Sequence, residues 1–339
     1  MTTIKDIARE AGVSVTTVSR ALNGYSDVNE KTRAKIKDIA NELNYSPNAL
    51  ARSLVTNKTK TIGLLVSGMK KESIKDNFTY EILCGINDMS AEIGYDLIFF
   101  STNSTMQKEK SYAQLCRERK VDGVIIQGIK TDDPYLQEVI DSEIPCVLID
   151  IPIESNSVGY VTTDNELGAK NITEYLIDLG HKNIAMINGH NRAFVSQQRF
   201  AGYRKALSEA NIALQWEYVI DGAFDEEVAY DATLKLLNEH TEITAIVCAS
   251  DLMALGVMKA AKTLGLSIPS DLSVTGYDDI ILASYVSPTL TTVAQDKYLM
   301  GQKATRLLAE LLEGHTNERK VIVETEIKKR ESAGKNTRI

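Results

Sequence analysis

"GVSVTTVSRALNGYSDV", residues 12–28, sets apolar residues at helical spacing while its outward positions are Thr16, Thr17, Ser19, Arg20 and Asn23. A solvated helix face is ordinarily written with Glu, Lys, Gln and Ala, which favour helix more than Ser, Thr or Asn do. Hydroxyls, an amide and one guanidinium suit a different task. They hydrogen-bond phosphates and let a backbone come close to a duplex, and Arg20 can fork onto guanine O6 and N7. A surface helix that merely happens to be rich in Thr and Ser is the plainer alternative.

The flanking residues extend this pattern. Ile4, Ile7, Ala8 and Ala11 draw one apolar stripe on a helix that stops at Gly12. Ser14 stands at an N-cap, and Val15, Val18, Ala21 and Leu22 draw a second stripe that ends at Asn23-Gly24. Three residues separate the two, which is helix-turn-helix spacing. A third helix is predicted over about 30–44, capped by Asn29, with Ile36, Ile39, Ala40 and Leu43 facing inward. In "YSPNALARSLVTNKTK" (45–60), Ser46 and Pro47 open a short helix with Ala49, Leu50 and Leu54 on its apolar face. Two turns are too few to hold alone in water. Such a helix makes sense if it folds on docking and wedges an apolar side chain into a minor groove.

A chain of 339 residues holds two or three domains, and 43% hydrophobic with 25% charged residues is the profile of a soluble globular protein. No apolar run is long enough to span a bilayer. "MTTIKDIAREAG" carries charge where a signal peptide needs an apolar core, so a cytoplasmic location and no membrane partner are expected. Cys84, Cys116, Cys146 and Cys248 are scattered and read as reduced thiols. The net charge of −8 hides an asymmetry: residues 1–60 carry ten Lys or Arg against six Asp or Glu, and the remainder 28 against 40. A basic head on an acidic body fits a chain that meets a polyanion with one end.

Beyond residue 60, apolar runs alternate with amphipathic segments. Candidate strands are 61–66, 95–101, 121–128, 144–150 and 158–164, with helical patterns near 80–93, 107–119 and 134–142; the alternation restarts at 183–189, 216–222, 243–250 and 272–278. Such runs are strands buried in parallel sheets, and the restart implies two similar α/β lobes. Ligands in open α/β sheets sit beyond the carboxyl ends of strands. That rule selects Asp150, Ser250, Asp251, Asp278 and Asp279, and "SQQRFAGYRKAL" (196–207) adds a helix with Arg199 in its first turn.

"TIKDIAREAGVSVTTVSRALNG", "KTRAKIKDIANELNYSPNALARSL" and "GYDDIILASYVSPTLTTVAQDKYLMGQKATRLLAELLEG" together resemble the LacI/GalR family of bacterial transcription regulators, nearly end to end. The resemblance implies an all-α helix-turn-helix head (1–45), a hinge helix (46–60) and a two-lobed, periplasmic-binding-protein-like core (61–339). The first lobe would take 61–162 and 295–320, the second 163–293 and 321–332. It places Thr3, Ser14, Thr17, Ser19, Asn23 and Asn48 at phosphate- or DNA-contacting positions, and Val15, Thr16 and Arg20 at base-reading ones. Leu54 matches the minor-groove wedge and Ala51 its small neighbour. Phe78, Thr79, Asp150, Arg199, Phe224, Ser250, Asp278 and Gln295 match effector positions, with Gln295-Asp296 marking the return crossover. The implied partners are double-stranded operator DNA, a small effector and a second copy of the chain, with helices near 80–93 and 251–264 at the dimer surface.

Carboxylates, an arginine fork and an aromatic plate suit a saccharide. Thr79 stands where purine-binding relatives carry an aromatic residue, so a sugar is the expected effector. A purine corepressor is the alternative, as is control by a phosphorylated carrier protein, for which Lys303 and Arg306 are the available cations. No G-x-S-x-G, G-x-G-x-x-G, P-loop or H-E-x-x-H pattern occurs, so no catalytic residue, metal or cofactor is expected.

Overall fold

The computed structural model describes residues 2–45, 58–67, 75–100, 110–315 and 318–338. It divides into a head, residues 1–59, and a body, residues 60–339. The expected hinge residues Asn48, Ala51 and Leu54 lie outside the described residues.

The described residues of the head form α1 (Ile4–Ala11), α2 (Val15–Leu22) and α3 (Glu30–Glu42). Thr3 and Asp6 form a reciprocal capping box on α1, and Gly12, at φ +70°, closes that helix in the left-handed region. Ser14 caps α2 by accepting from Thr17 N, and Asn29 caps α3 by accepting from Lys31 N. Ile7, Val18, Ala21 and Ile36 are wholly buried between the three helices. The polar residues of α2 are thereby left outside.

The described residues of the body form two six-stranded sheets. Strands β1 (Thr61–Val66), β2 (Asp96–Phe100), β3 (Gly123–Gln127), β4 (Cys146–Ile149), β5 (Val158–Thr163) and β11 (Lys320–Val323) make the first, ordered β11-β5-β4-β3-β1-β2. All its pairings are parallel. Helices α4 (Phe78–Glu92), α5 (Tyr112–Arg119), α6 (Pro134–Asp141) and α11 (Lys297–Glu313) belong to this lobe. Alternation on β1 divides its core: Ile62, Leu64 and Val66 face Ile82, Ile86 and Met300, whereas Leu65 faces Tyr112 and Cys116. Burial on both faces explains why β1, β3 and β4 are nearly continuous in apolar residues.

The second sheet has β6 (Ile184–Asn188), β7 (Val219–Asp221), β8 (Ala245–Cys248), β9 (Ser273–Asp278), β10 (Thr291–Gln295) and β12 (Thr325–Lys328), ordered β12-β10-β9-β8-β6-β7. Only β12 runs antiparallel. Helices α7 (Asn165–Asp178), α8 (Phe194–Glu209), α9 (Glu226–Glu239) and α10 (Asp251–Thr263) complete the lobe. Among the described residues the chain passes between lobes three times, each passage one residue long: Asp164, Asp296 and Glu324. Asp164 and Asp296 use that position to cap α7 and α11.

The structure differs from the sequence expectation at four places. Residues 216–218 form a 3-10 turn, and the strand begins only at Val219. The helix expected over 107–119 begins, within the described residues, at Tyr112, where Ser111 caps it. Strands β10 ("TTVAQ"), β11 ("KVIV") and β12 ("TEIK") lie outside the sequence expectation: β10 and β12 carry no apolar run, and that of β11 is only three residues long. The lobe boundaries move accordingly. Gln295 ends a second-lobe strand, and residues 321–323 stay in the first sheet.

Candidate functional site

Two places gather the residues selected from the sequence. The first is the outer surface of α2. Ser14, Val15, Thr16, Arg20 and Asn23 are exposed there, with Thr17 and Ser19 half-buried, while Thr3 is exposed at the start of α1. Val15, at 41% exposure, is an apolar side chain held out at the start of the helix. Several of the polar groups also hold the head together. Ser14 Oγ shares a hydrogen bond of 2.8 Å with Thr17 Oγ1, and Asn23 Nδ2 donates to Ser19 O at 2.9 Å. Arg20 Nη2 lies 2.8 Å from Asp27 Oδ2. Ser14, Thr16, Thr17, Arg20, Asp27, Val28, Asn29 and Thr32 line one shallow concavity. Asp27 carried no sequence signal, because its importance lies in a side chain one loop away.

The second place is the cleft of the body, at the carboxyl ends of β3, β4, β5, β6, β8 and β9. Arg199 is its centre and is 3% exposed. Its Nε donates to Asn165 Oδ1 at 2.8 Å and its Nη1 to Ala249 O at 2.5 Å. Its Nη2 lies 3.6 Å from Asp278 Oδ1, and Cζ sits 3.7 Å from the Tyr277 ring centroid. Because α8 starts at Phe194, Arg199 lies in the second turn, not the first as the sequence implied. Ser196 reads as a helix start but is a buried interior residue.

Asp278 accepts from Gln295 Nε2 at 2.7 Å, and Gln295 Oε1 accepts from Thr163 Oγ1 at 2.6 Å, so one amide links two passages of the chain. Lys297 Nζ donates to the carbonyls of Asp278 and Asp279 at 2.6 and 2.9 Å and lies 3.7 Å from Glu81 Oε2. Asp278 has φ +110° and Asp279 φ +52°, a strained turn held by these bonds. Asp150, at φ +62°, accepts from Thr162 Oγ1 at 2.7 Å. Burial pushes the Asp278 carboxyl up to about 7, against the pull of Arg199. Burial likewise raises Asp150, against Thr162 and Arg199.

Asp251 has a different place. It is wholly buried, accepts from Ile280 N at 2.8 Å and from Thr292 Oγ1 at 2.5 Å, and braces the 278–280 turn from behind. Ser250 spends its hydroxyl on Met253 N as the cap of α10. Asp279 pairs with Arg330 at 2.7 Å. Among the described residues, no group of three or more His, Cys, Asp or Glu is arranged to hold a metal.

The walls carry the remaining residues. Phe78 opens α4 and packs partly against the first-lobe core, while Thr79 Oγ1 accepts from Gln127 Nε2 at 3.3 Å. Phe224, at φ +54°, lies against Gly189 and meets His190 edge-on at 5.6 Å. Gln127 Oε1, Asn188 Oδ1, His190 Nδ1 and Ser196 Oγ are buried without a hydrogen-bond partner. Sequence reading missed all four residues: Gln127 and Asn188 end apolar strands, His190 follows one, and Ser196 lies inside a helix. The cleft edges are tied as well: Ile281 N donates to Asn77 Oδ1 at 3.0 Å, Lys75 pairs with Glu226, and Thr131 N donates to Arg192 O at 3.1 Å.

A pH dependence follows from Asp278. Its ordinary value is 3.8 and its folded one about 7, so the native state takes up its proton first as pH falls. Between about pH 7 and 4 its contribution therefore grows more favourable with acidification, by up to about 4 kcal/mol. Urea titrations at pH 5 and pH 8 should show wild type gaining stability on Asp278→Asn at the lower pH. A gap that does not change with pH would contradict this.

A helix-turn-helix head and a two-lobed α/β body with a charged cleft define the class of two-domain regulators. The family model for bacterial regulatory proteins of the lacI family matches residues 3–48, and that for a periplasmic binding protein-like domain matches residues 173–333. The HTH-type transcriptional repressor PurR of Vibrio campbellii (strain ATCC BAA-1116) is 39% identical over 323 residues, covering 95% of each chain. Among solved structures, the lac repressor dimer bound to operator and the anti-inducer ONPF gives a TM-score of 0.83 at 29% identity, over 98% of this chain and 99% of that one. The complex of the transcriptional regulator CelR with cellobiose gives 0.76 at 31%, over 98% and 100%. The chain belongs to the LacI family of bacterial transcriptional regulators. Among the described residues, no helix is long and apolar enough to cross a membrane.

Proposed function

We propose that this chain is a cytoplasmic, non-enzymatic repressor of carbohydrate-utilisation genes, a homodimer whose grip on operator DNA is switched by a saccharide in the cleft. The observation that carries the ligand class is the lining. Asp150, Asp278 and Arg199 offer acceptors and donors, Phe224 offers a flat apolar face, and four buried polar atoms lack partners within the protein. A ring bearing many hydroxyls satisfies such groups on both lobes at once. Effector that binds one lobe arrangement more tightly than the other shifts the equilibrium between them and so changes DNA affinity. In the head, Thr3, Ser14, Thr17, Ser19 and Asn23 position the protein on phosphates, and Val15, Thr16 and Arg20 read bases.

A purine is the second reading, favoured by the similarity to PurR repressors. Against it stands Thr79, hydrogen-bonded to Gln127, at a position where a stacking ring would be wanted. Lys303 and Arg306 are exposed on α11, so a protein partner there has cations to meet. Thermal-shift measurements against cellobiose, ribose, hypoxanthine and guanine separate the two ligand classes. A ligand at 100 times its Kd adds about 2.7 kcal/mol, a shift of roughly 5–10 °C. A shift with a purine and none with the sugars would replace the saccharide reading.

A further inference from the structure

The arginine read as a base contact is already engaged. Arg20 Nη2 lies 2.8 Å from Asp27 Oδ2, both side chains about half exposed. The Arg20 guanidinium carbon is 5.5 Å from the Tyr25 ring. The loop that presents Asp27 is fixed. Tyr25 N donates to Arg20 O at 3.0 Å, and Val28 is buried in the head core. Arg33 Nη2 then donates to Tyr25 O at 2.7 Å and to Val28 O at 3.3 Å, clamping the loop on both sides of Asp27.

We propose that Asp27 is a specificity-determining residue, a carboxylate that shields the Arg20 guanidinium from phosphates while leaving it able to read a base. The proposal rests on the reading of Arg20 as a base contact. An unshielded arginine on a DNA-facing surface exchanges counterions for phosphate at any sequence. Here a phosphate must displace, or lie beside, a charge of its own sign. A guanine edge is neutral and meets neither obstacle. Arg carries five N–H donors in one plane, so those that Asp27 does not engage remain for O6 and N7. Asp27 thus penalises binding anywhere more than binding at the right base.

The test uses the full-length protein and a fluorescent 30-base-pair duplex pool of randomised sequence. Asp27→Asn is compared with Asp38→Asn, which removes an exposed carboxylate from α3 of the same head. Anisotropy titrations should show Asp27→Asn tightening pool binding about three- to tenfold, from an exposed ion pair lost in each of two heads. The slope of log K against log salt should steepen by about one per head, while Asp38→Asn changes binding by less than about twofold. The gain should vanish in an Arg20→Ala background. Sequences selected from the pool by Asp27→Asn should be less restricted than those selected by wild type. Equal effects of Asp27→Asn and Asp38→Asn, or a gain that persists without Arg20, overturn the proposal alone. An Arg20→Ala protein that selects the wild-type sequences overturns the base-reading role itself, and the proposal with it.

Discussion

Replacing Arg199 with Ala is expected to lower the stability of the body by about 3–5 kcal/mol and to abolish its response to effector. The first effect follows from burial. Arg199 is 3% exposed, so truncation opens a buried gap and removes the cation that opposes the burial of Asp278, whose carboxyl, already up at about 7, then stays protonated. Asn165 Oδ1 and Ala249 O lose their donor at the same time. For a body of this size the melting temperature should fall by roughly 10 °C. Arg199→Lys keeps the charge but not the fork. One ammonium cannot hold Asn165, Ala249 and the approach to Asp278 together, and an intermediate loss is expected. Adding Asp278→Asn to Arg199→Ala should recover part of the stability, because the cost of protonating a buried carboxyl at neutral pH is gone, yet none of the effector response. Thermal shift with and without whichever ligand raises the wild-type melting temperature measures both. An Arg199→Ala protein that melts with wild type would refute the account of the cleft.

Gly85→Ala should be as damaging, against the direction helix propensity alone predicts. Alanine in a helix ordinarily gains about 0.5–1 kcal/mol over glycine. A Cβ at 85 would stand 2.0 Å from the Tyr298 carbonyl oxygen, and one at 301 would stand 2.2 Å from that of Ile82. Both obstacles are backbone, so neither can swing aside. Helices α4 and α11 touch through these two glycines, and either substitution must drive them apart. The cost is lost contact among Ile82, Ile86, Met300 and Ala304, all fully buried. About 3 kcal/mol and a fall of roughly 6–12 °C in melting temperature are expected for each. The pair should cost less than the sum, since separation forced by one makes room for the other. Calorimetry of the two single variants and the double variant checks this, and a stabilised Gly85→Ala would show that the helices are not in contact as described.

Much of this architecture is legible in the sequence, for identifiable reasons. Ser14, Asn29 and Gly12 mark helix ends through local chemistry that needs no tertiary partner. The runs at 61–66 and 146–149 are buried and therefore nearly continuous in apolar residues. The strands that escape are those whose partners carry them. Residues 291–295 are mostly threonine-rich and polar yet buried, because Thr291 and Thr292 find hydrogen bonds with Arg330, Asp251 and the tail. In the cleft, Asp150, Arg199, Asp278 and Gln295 come together as four segments far apart in sequence. What no pattern announces is which carboxylate faces the cleft and which supports it. Asp251 and Asp278 both close buried segments, and only the turn at 278–280 separates their roles.

The single-residue passages at Asp164, Asp296 and Glu324 limit how the lobes can answer a ligand. A chain advances about 3.8 Å per residue, so three such short tethers forbid any appreciable sliding. What remains is a swivel about a few backbone torsions, in which small rotations near the pivot become wide arcs at the rims. Any small change at the pivot, where Gln295 joins Asp278 to Thr163, is thus magnified into a larger displacement farther out.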